Sequence, residues 1–186
     1  MYRASALLAT RAGLALDRGR ELASLISQHT IDVDEGVTLL DGEDVSTLIR
    51  TPAMSEAASL VSSHGPVRRE MVRLQRGFSR RRDTVAEGRD MGTVVFPEAD
   101  LKVFVTADVV QRSLRRLGQL DEECVARRLP VTVRELMRRD RRDSERADSP
   151  LRRAPDAWLI DTTSLSVEQQ VNAVVLLYDR REEDRS

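Results

Sequence analysis

The sequence predicts an α/β protein built on a parallel sheet, and three observations carry that expectation. Apolar, β-forming runs lie at residues 84–95, 101–105 and 158–161. Stretches with helical apolar spacing separate them. Strand followed by helix followed by strand is the pattern of crossover units in a parallel sheet. Three strands are few for a sheet that needs cover on both faces.

The elements follow in chain order. Leu7, Leu8, Leu14, Leu22, Leu25 and Ile26 recur at near-helical spacing, so residues 1–28 read as helix, with Gly13 and Gly19 as weak points. Arg3 and Arg11 among Ala and Leu imitate a transit peptide, but the apolar period runs past the length of a targeting segment. Ile31-Asp32-Val33 and Val37-Thr38-Leu39-Leu40 flank Asp34-Glu35-Gly36, a short β-hairpin, and Asp41-Gly42-Glu43-Asp44 makes a further turn. Thr51 and Pro52 supply the N-cap and first position of a helix reaching about Ser63. His64-Gly65-Pro66 stops it and starts another, with Val67, Met71, Leu74 and Phe78 on one face. Arg68, Arg69, Arg73 and Arg76 share that helix, and Arg80, Arg81 and Arg82 close it favourably against its dipole.

Residues 84–95 read as the central buried strand, its end carrying Glu87, Gly88, Arg89 and Asp90 into a crevice where open α/β sheets bind ligands. Leu101 to Val105 is a second buried strand, and Asp108 caps a helix to about Leu120. Pro130 breaks the chain, and Thr132-Val133-Arg134-Glu135 restarts it as a capping box. Trp158-Leu159-Ile160-Asp161 is the third strand, Ser166 caps a last helix to about Tyr178, and residues 179–186 are expected to fray.

Length and composition bound the possibilities. A chain of 186 residues, 40% apolar and 33% charged, is one domain with a substantial core. Lys and Arg (30) nearly balance Asp and Glu (31), and aromatics make up 3%, which argues against nucleic acid or a membrane surface as partner. No apolar run is long enough for a membrane span. One cysteine, Cys124, fits a reducing, cytoplasmic setting without disulfides. His29 and His64 lie far apart without Cys partners and read as ordinary histidines rather than zinc ligands.

The chemistry is concentrated in arginine. Arg89 offers a planar fork of donors suited to phosphate, and the acids beside it can read a base or hold water on a metal; the bland alternative is a surface turn with a salt bridge. The run from Arg139 to Arg146 is either a solvated helical face or a phosphate-closing lid. With Arg68, these sites on a neutral chain point to a polyanionic ligand.

The order of the pieces resembles the bacterial cytidylate kinases, a family of nucleoside-monophosphate kinases. Its landmarks stand here as Tyr2-Arg3, Leu40-Asp41-Gly42-Glu43-Asp44-Val45-Ser46, Ile49-Arg50-Thr51, Ala57-Ala58-Ser59, Val67-Arg68 and Gln75-Arg76. Gly88-Arg89-Asp90-Met91-Gly92-Thr93-Val94-Val95-Phe96-Pro97 follows, then Arg139-Asp140-Arg141-Arg142-Asp143-Ser144-Glu145-Arg146 with Pro150-Leu151, and Asp156-Ala157 leading to Ile160-Asp161-Thr162-Thr163. The resemblance spans essentially the whole chain.

It implies a P-loop nucleoside-monophosphate-kinase sheet with helices on both faces, a nucleotide-binding insertion over residues 30–82 and a lid over residues 122–148, all in one domain. It implies phosphoryl transfer from ATP, with Mg2+, to CMP or dCMP, by a cytoplasmic monomer. Ser59, Arg68 and Asp90 would read the cytosine, whose exocyclic amine needs an acceptor and whose ring nitrogen and carbonyl need donors. Arg3, Arg89, Arg139 and Arg146 would hold the CMP phosphate and the transferred group, and Asp143 a ribose hydroxyl. Ser59 as a local cap and Asp143 as a helix partner of Arg139 are the structural alternatives.

The family opens with a strand and a GxxxxGK[ST] loop whose backbone N–H groups, lysine and hydroxyl hold ATP phosphates and magnesium. No such motif occurs in these residues, and the single lysine, Lys102, has no glycine loop before it. The expectation is a chain without the family's first strand, loop and helix, so that the residues for ATP are undefined and no metal ligands are assigned. In the family's strand order the missing strand lies between the strands containing Val85 and Val103, and its absence would expose apolar edges of both. Two functions follow: an impaired cytidylate kinase, or a non-catalytic CMP-binding or interaction module derived from one.

Overall fold

A computed structural model describes all residues except 35, 81–82, 119–121 and 184–186, and for residues 34 and 122 it describes the backbone alone. The chain forms two compact units, Met1–Val85 and Ala86–Ser186. Among the described residues no helix is long and apolar enough to cross a membrane.

The first unit is helical with a small antiparallel sheet. Helices α1 (Tyr2–Arg11) and α2 (Gly19–Ser27) replace the single helix expected over residues 1–28. Gly13 explains the break. It takes φ +61°, Leu14 N–H donates to the Ala9 carbonyl at 2.9 Å and Gly13 N–H to that of Thr10 at 3.2 Å, the paired bonds of a Schellman cap. At Gly19 a side chain would meet the His64 ring, a Cβ there lying 2.8 Å from His64 Cβ. His64 in turn sits 2.7 Å from the Leu16 carbonyl, and His29 pairs with Asp41 at 2.6 Å, so both histidines have ordinary partners.

Strands β1 (Ile31–Asp34), β2 (Val37–Leu40) and β3 (Glu43–Asp44) pair antiparallel in that order, with Ile31 opposite Leu40 and Leu40 opposite Glu43. Residue 35 of the expected β1–β2 turn lies outside the described residues. Asp41 (φ +52°) and Gly42 (φ +84°) join β2 to β3 as a two-residue turn with both φ positive, matching the twist of the strands. The Asp41 carboxyl is held below the ordinary carboxylate range first by the Thr30 N–H and then by His29.

Helix α3 (Pro52–Val61) starts as expected, with Met54 N–H donating to Thr51 Oγ1 at 3.1 Å. Helix α4 (Gly65–Ser79) buries Val67 and Met71 completely and Leu74 in part. Arg80 caps its end, while Arg81 and Arg82 lie outside the described residues. α1 packs on α3 and α2 on α4 around Leu8, Leu22, Ile26, Val45, Val61 and Met71.

The second unit departs most from expectation. Residues 84–95 are not a strand. Val85 is fully exposed, and Met91–Val95 forms one π-helical turn, in which Val95 N–H donates to the Asp90 carbonyl at 3.2 Å and Phe96 N–H to that of Met91 at 2.7 Å. Strand formation needs a neighbouring ladder; with none among the described residues, the backbone groups close locally. Strand β4 (Val103–Thr106) and β5 (Trp158–Asp161) do form, paired parallel with Val103 opposite Trp158. They were expected buried, yet Val105, Trp158 and Leu159 are 56%, 54% and 52% exposed. A two-stranded parallel pair has two free edges and, among the described residues, little over its faces.

Asp108 caps α5 (Val109–Leu117), accepting from Val110 N–H at 2.8 Å; the helix was expected to reach Leu120, which lies outside the described residues. The break at Pro130 and the restart at Thr132 do not occur, because α6 runs unbroken over Glu122–Glu145 with Pro130 inside it. Pro130 forfeits one backbone bond, a cost of about 3 kcal/mol. The helix is held regardless by packing on α5, with Thr132, Leu136 and Asp143 buried at helical spacing. Thr132 is therefore an interior residue, and the capping box is a coincidence of sequence. Such a box does begin α7 (Val167–Glu183): Gln169 N–H donates to Ser166 Oγ, and Ser166 N–H to Gln169 Oε1. The expected fraying from Asp179 is absent through Glu183, since Arg180 and Arg181 in the last turn oppose the helix dipole. No residue of α7 is buried, and Val167, Leu176 and Tyr178 are more than half exposed.

Candidate functional site

In the first unit three predicted residues lie on three helices. Arg3 on α1 donates from Nη1 to the Ile49 carbonyl at 3.4 Å. Ser59 on α3 is 4% exposed. Arg68 on α4 is 3% exposed, donates to the Ser62 carbonyl at 3.1 Å and stands 5.9 Å from the centre of the Tyr2 ring. A guanidinium buried to that extent costs desolvation, and a carbonyl with an aromatic face returns part of it.

The second unit gathers the rest. Asp90 is 4% exposed, and its carbonyl anchors the π-helical turn by accepting from Val94 and Val95. A tight turn there fixes the neighbouring Arg89, which reaches α6. Arg89 Nε lies 3.2 Å from Asp143 Oδ2 and its Nη1 3.7 Å from Asp140 Oδ1. Arg139 Nε is 3.9 Å from Asp143 Oδ2, and Arg146 Nη1 is 3.8 Å from Asp143 Oδ1. One buried carboxylate thus faces three arginines. The pairing of Asp143 with Arg139 along the helix exists, but it is the longest of the three.

Backbone beyond α6 holds this cluster. Ser149 takes φ +50° and turns the chain back, so that Leu151 N–H donates to the Asp143 carbonyl at 2.8 Å and Arg146 Nε to the Ser149 carbonyl at 2.6 Å. Asp143 Oδ2 is buried and receives no directed hydrogen bond, although charges surround it. An acceptor in that state fits a hydroxyl donor. Asp140 adds a second carboxylate beside Arg89, and guanidinium groups of this kind are suited to phosphate.

Two members of the cluster were not anticipated. Asp140 lies one helical turn before Asp143, and Arg112 on α5 donates from Nη1 to Asp140 Oδ2 at 2.7 Å. The Asp140-x-x-Asp143 spacing was a usable signal; nothing local marks Arg112.

Lys102 Nζ is held by Asp156 Oδ2 at 2.6 Å, and its side chain is 9% exposed. That bond keeps the Asp156 carboxyl below its ordinary range. Among the described residues no group of three His, Cys, Asp or Glu side chains is placed to hold a metal ion, and no glycine-rich phosphate cradle is present. These residues therefore do not fit a holder for ATP and Mg2+ on their own.

The described elements make an α/β protein whose second unit gathers arginines about a buried carboxylate. A sequence profile of the family described as cytidylate kinase matches residues 1–180. The chain is 46% identical over 178 residues to the cytidylate kinase of Paraburkholderia phymatum, covering 96% of this chain and 78% of that protein. It is 44% identical over the same length to the cytidylate kinases of Burkholderia cenocepacia and Burkholderia multivorans. The chain belongs to the cytidylate kinase family, whose members are nucleoside-monophosphate kinases.

Proposed function

We propose that this chain serves phosphoryl transfer from ATP to CMP or dCMP, and that its own described residues form the acceptor side of that reaction. The observation that carries the reading is the buried Asp143 carboxylate ringed by Arg89, Arg139 and Arg146. In the proposal Asp143 accepts a ribose hydroxyl, while the three arginines, with Arg3, hold phosphate oxygens. Phosphoryl transfer has little covalent chemistry for a protein to perform, so positioning and neutralising charge are the main tasks of such a set. By the family resemblance Ser59, Arg68 and Asp90 are assigned to the base. ATP and Mg2+ are the partners expected for the family; when bound they would supply the transferred group and its charge neutralisation. CMP or dCMP is the small-molecule substrate, and a cytoplasmic monomer is the proposed form.

Arg89→Ala tests the central observation. Calorimetry should show CMP affinity falling about tenfold or more, the loss of a charge-assisted contact, while cytidine, which lacks the phosphate, is unaffected. Equal losses for both ligands would remove Arg89 from the phosphate site.

Residues 122–148 are proposed as a lid. Support comes from the charge density of the stretch and its scarcity of apolar residues, Leu136 being its one buried apolar residue among those described. Amide exchange in the absence of ligand should be faster across this segment than in β4 and β5. Exchange as slow as in the strands would contradict a lid.

A second reading is a CMP-binding or interaction module without catalysis. CMP binding with no CDP formation under any added upstream sequence would select it.

A further inference from the structure

We propose that Arg112 is a positioning residue for Arg89, acting through Asp140. The inference rests on the phosphate-binding reading of Arg89 and concerns what keeps that arginine available.

α6 presents two carboxylates to Arg89, one turn apart. Toward Asp143 the approach is 3.2 Å, while Asp140 Oδ1 stands off at 3.7 Å, beyond hydrogen-bond reach. Asp140 Oδ1 is buried and has no hydrogen-bond partner. A buried, unsatisfied carboxylate oxygen beside a guanidinium would normally close on it, because the paired, bidentate geometry is the favourable one. What holds it off is Arg112, whose Nη1 takes Asp140 Oδ2 at 2.7 Å.

Arg112 is itself fixed from a second direction. Its Nε donates to the Ala107 carbonyl at 3.0 Å, in the short link between β4 and the Asp108 cap of α5. A guanidinium tied through Nε to the Ala107 carbonyl, just before α5, is restrained from following Asp140 if that side chain rotates. Arg112 therefore occupies the Asp140 carboxylate and offsets its charge, so that of the two acids only Asp143 closes on Arg89 and the Arg89 Nη groups stay available to an incoming anion. Without Arg112, Asp140 turns onto Arg89 and competes with that anion.

The prediction separates this role from a plain α5–α6 tether. Pyrophosphate, CMP and cytidine are titrated calorimetrically into the full chain and into Arg112→Ala, Asp140→Asn and the double variant. Arg112→Ala should bind pyrophosphate and CMP about tenfold more weakly, the scale of one charge-assisted contact, with cytidine unchanged. Asp140→Asn alone should bind them as well as or better than the parent, and the double variant should recover to within about twofold, because the competing charge is gone. A tether predicts the reverse: Asp140→Asn as harmful as Arg112→Ala, and no recovery in the double variant. Either result overturns the proposal. Should Arg112→Ala fail to fold, the Asp140→Asn arm decides alone. Pyrophosphate behaving as described while CMP does not bind would sink the cytidylate reading and leave the positioning role standing. Binding of neither by the parent chain would sink both.

Discussion

A polypeptide of these 186 residues should form CDP from ATP and CMP at least about 10²–10³-fold more slowly than a version joined to a GxxxxGK[ST] loop, the loss that follows removal of even one positioned donor. The acceptor-side arginines are present, but no row of backbone N–H groups faces the β- and γ-phosphates within these residues. The sole lysine cannot substitute. Lys102 is bound to Asp156 at 2.6 Å and its side chain is 9% exposed, so using it would first break a partly desolvated ion pair. Following CDP formation by both proteins side by side checks this. Turnover by the 186-residue chain within tenfold of the extended one would mean that its donor site lies elsewhere.

Asp90→Ala should weaken CMP binding by roughly 1.5–3 kcal/mol, about 10- to 150-fold, while changing UMP binding far less. Cytosine carries an exocyclic amine that donates; uracil carries an oxygen there that accepts. A carboxylate can only accept, so it favours the first and repels the second. Asp90 is 4% exposed, which keeps water from replacing the lost acceptor. Asp90→Asn, able to donate as well as accept, should narrow the gap between CMP and UMP. Calorimetry on a chain carrying the ATP loop measures both, and equal losses for the two nucleotides would take Asp90 out of the base site.

Local rules read the helical half of this protein well. The Thr51 cap with Pro52, the restart at Gly65-Pro66, the Asp108 cap and the Ser166 cap were legible because each depends on a few adjacent residues meeting orphan backbone groups. Gly13 was visible as a weak point, and only its positive φ showed that it divides one helix into two. The parallel pairing of β4 with β5 also followed from the strand-helix-strand order.

Tertiary context decided the remainder. Residues 84–95 have every local mark of a buried strand, yet a strand exists only if another chain segment offers it a ladder. Here the backbone closes on itself as a π-helical turn and leaves Val85 in solvent. Pro130 carries the local mark of a helix end, and packing of α6 on α5 overrides it. The site divides along the same line. Arg89, Arg139, Asp143 and Arg146 could be named from residue types and motif order, since arginine beside acid is meaningful at short range. That Asp143 would be the common partner of all three, and that Arg112 would hold Asp140 away from Arg89, required α5, α6 and the turn after Asp90 to converge. Charge pairs across 28 or more residues of sequence leave no local pattern, because their energy depends on distance in space alone.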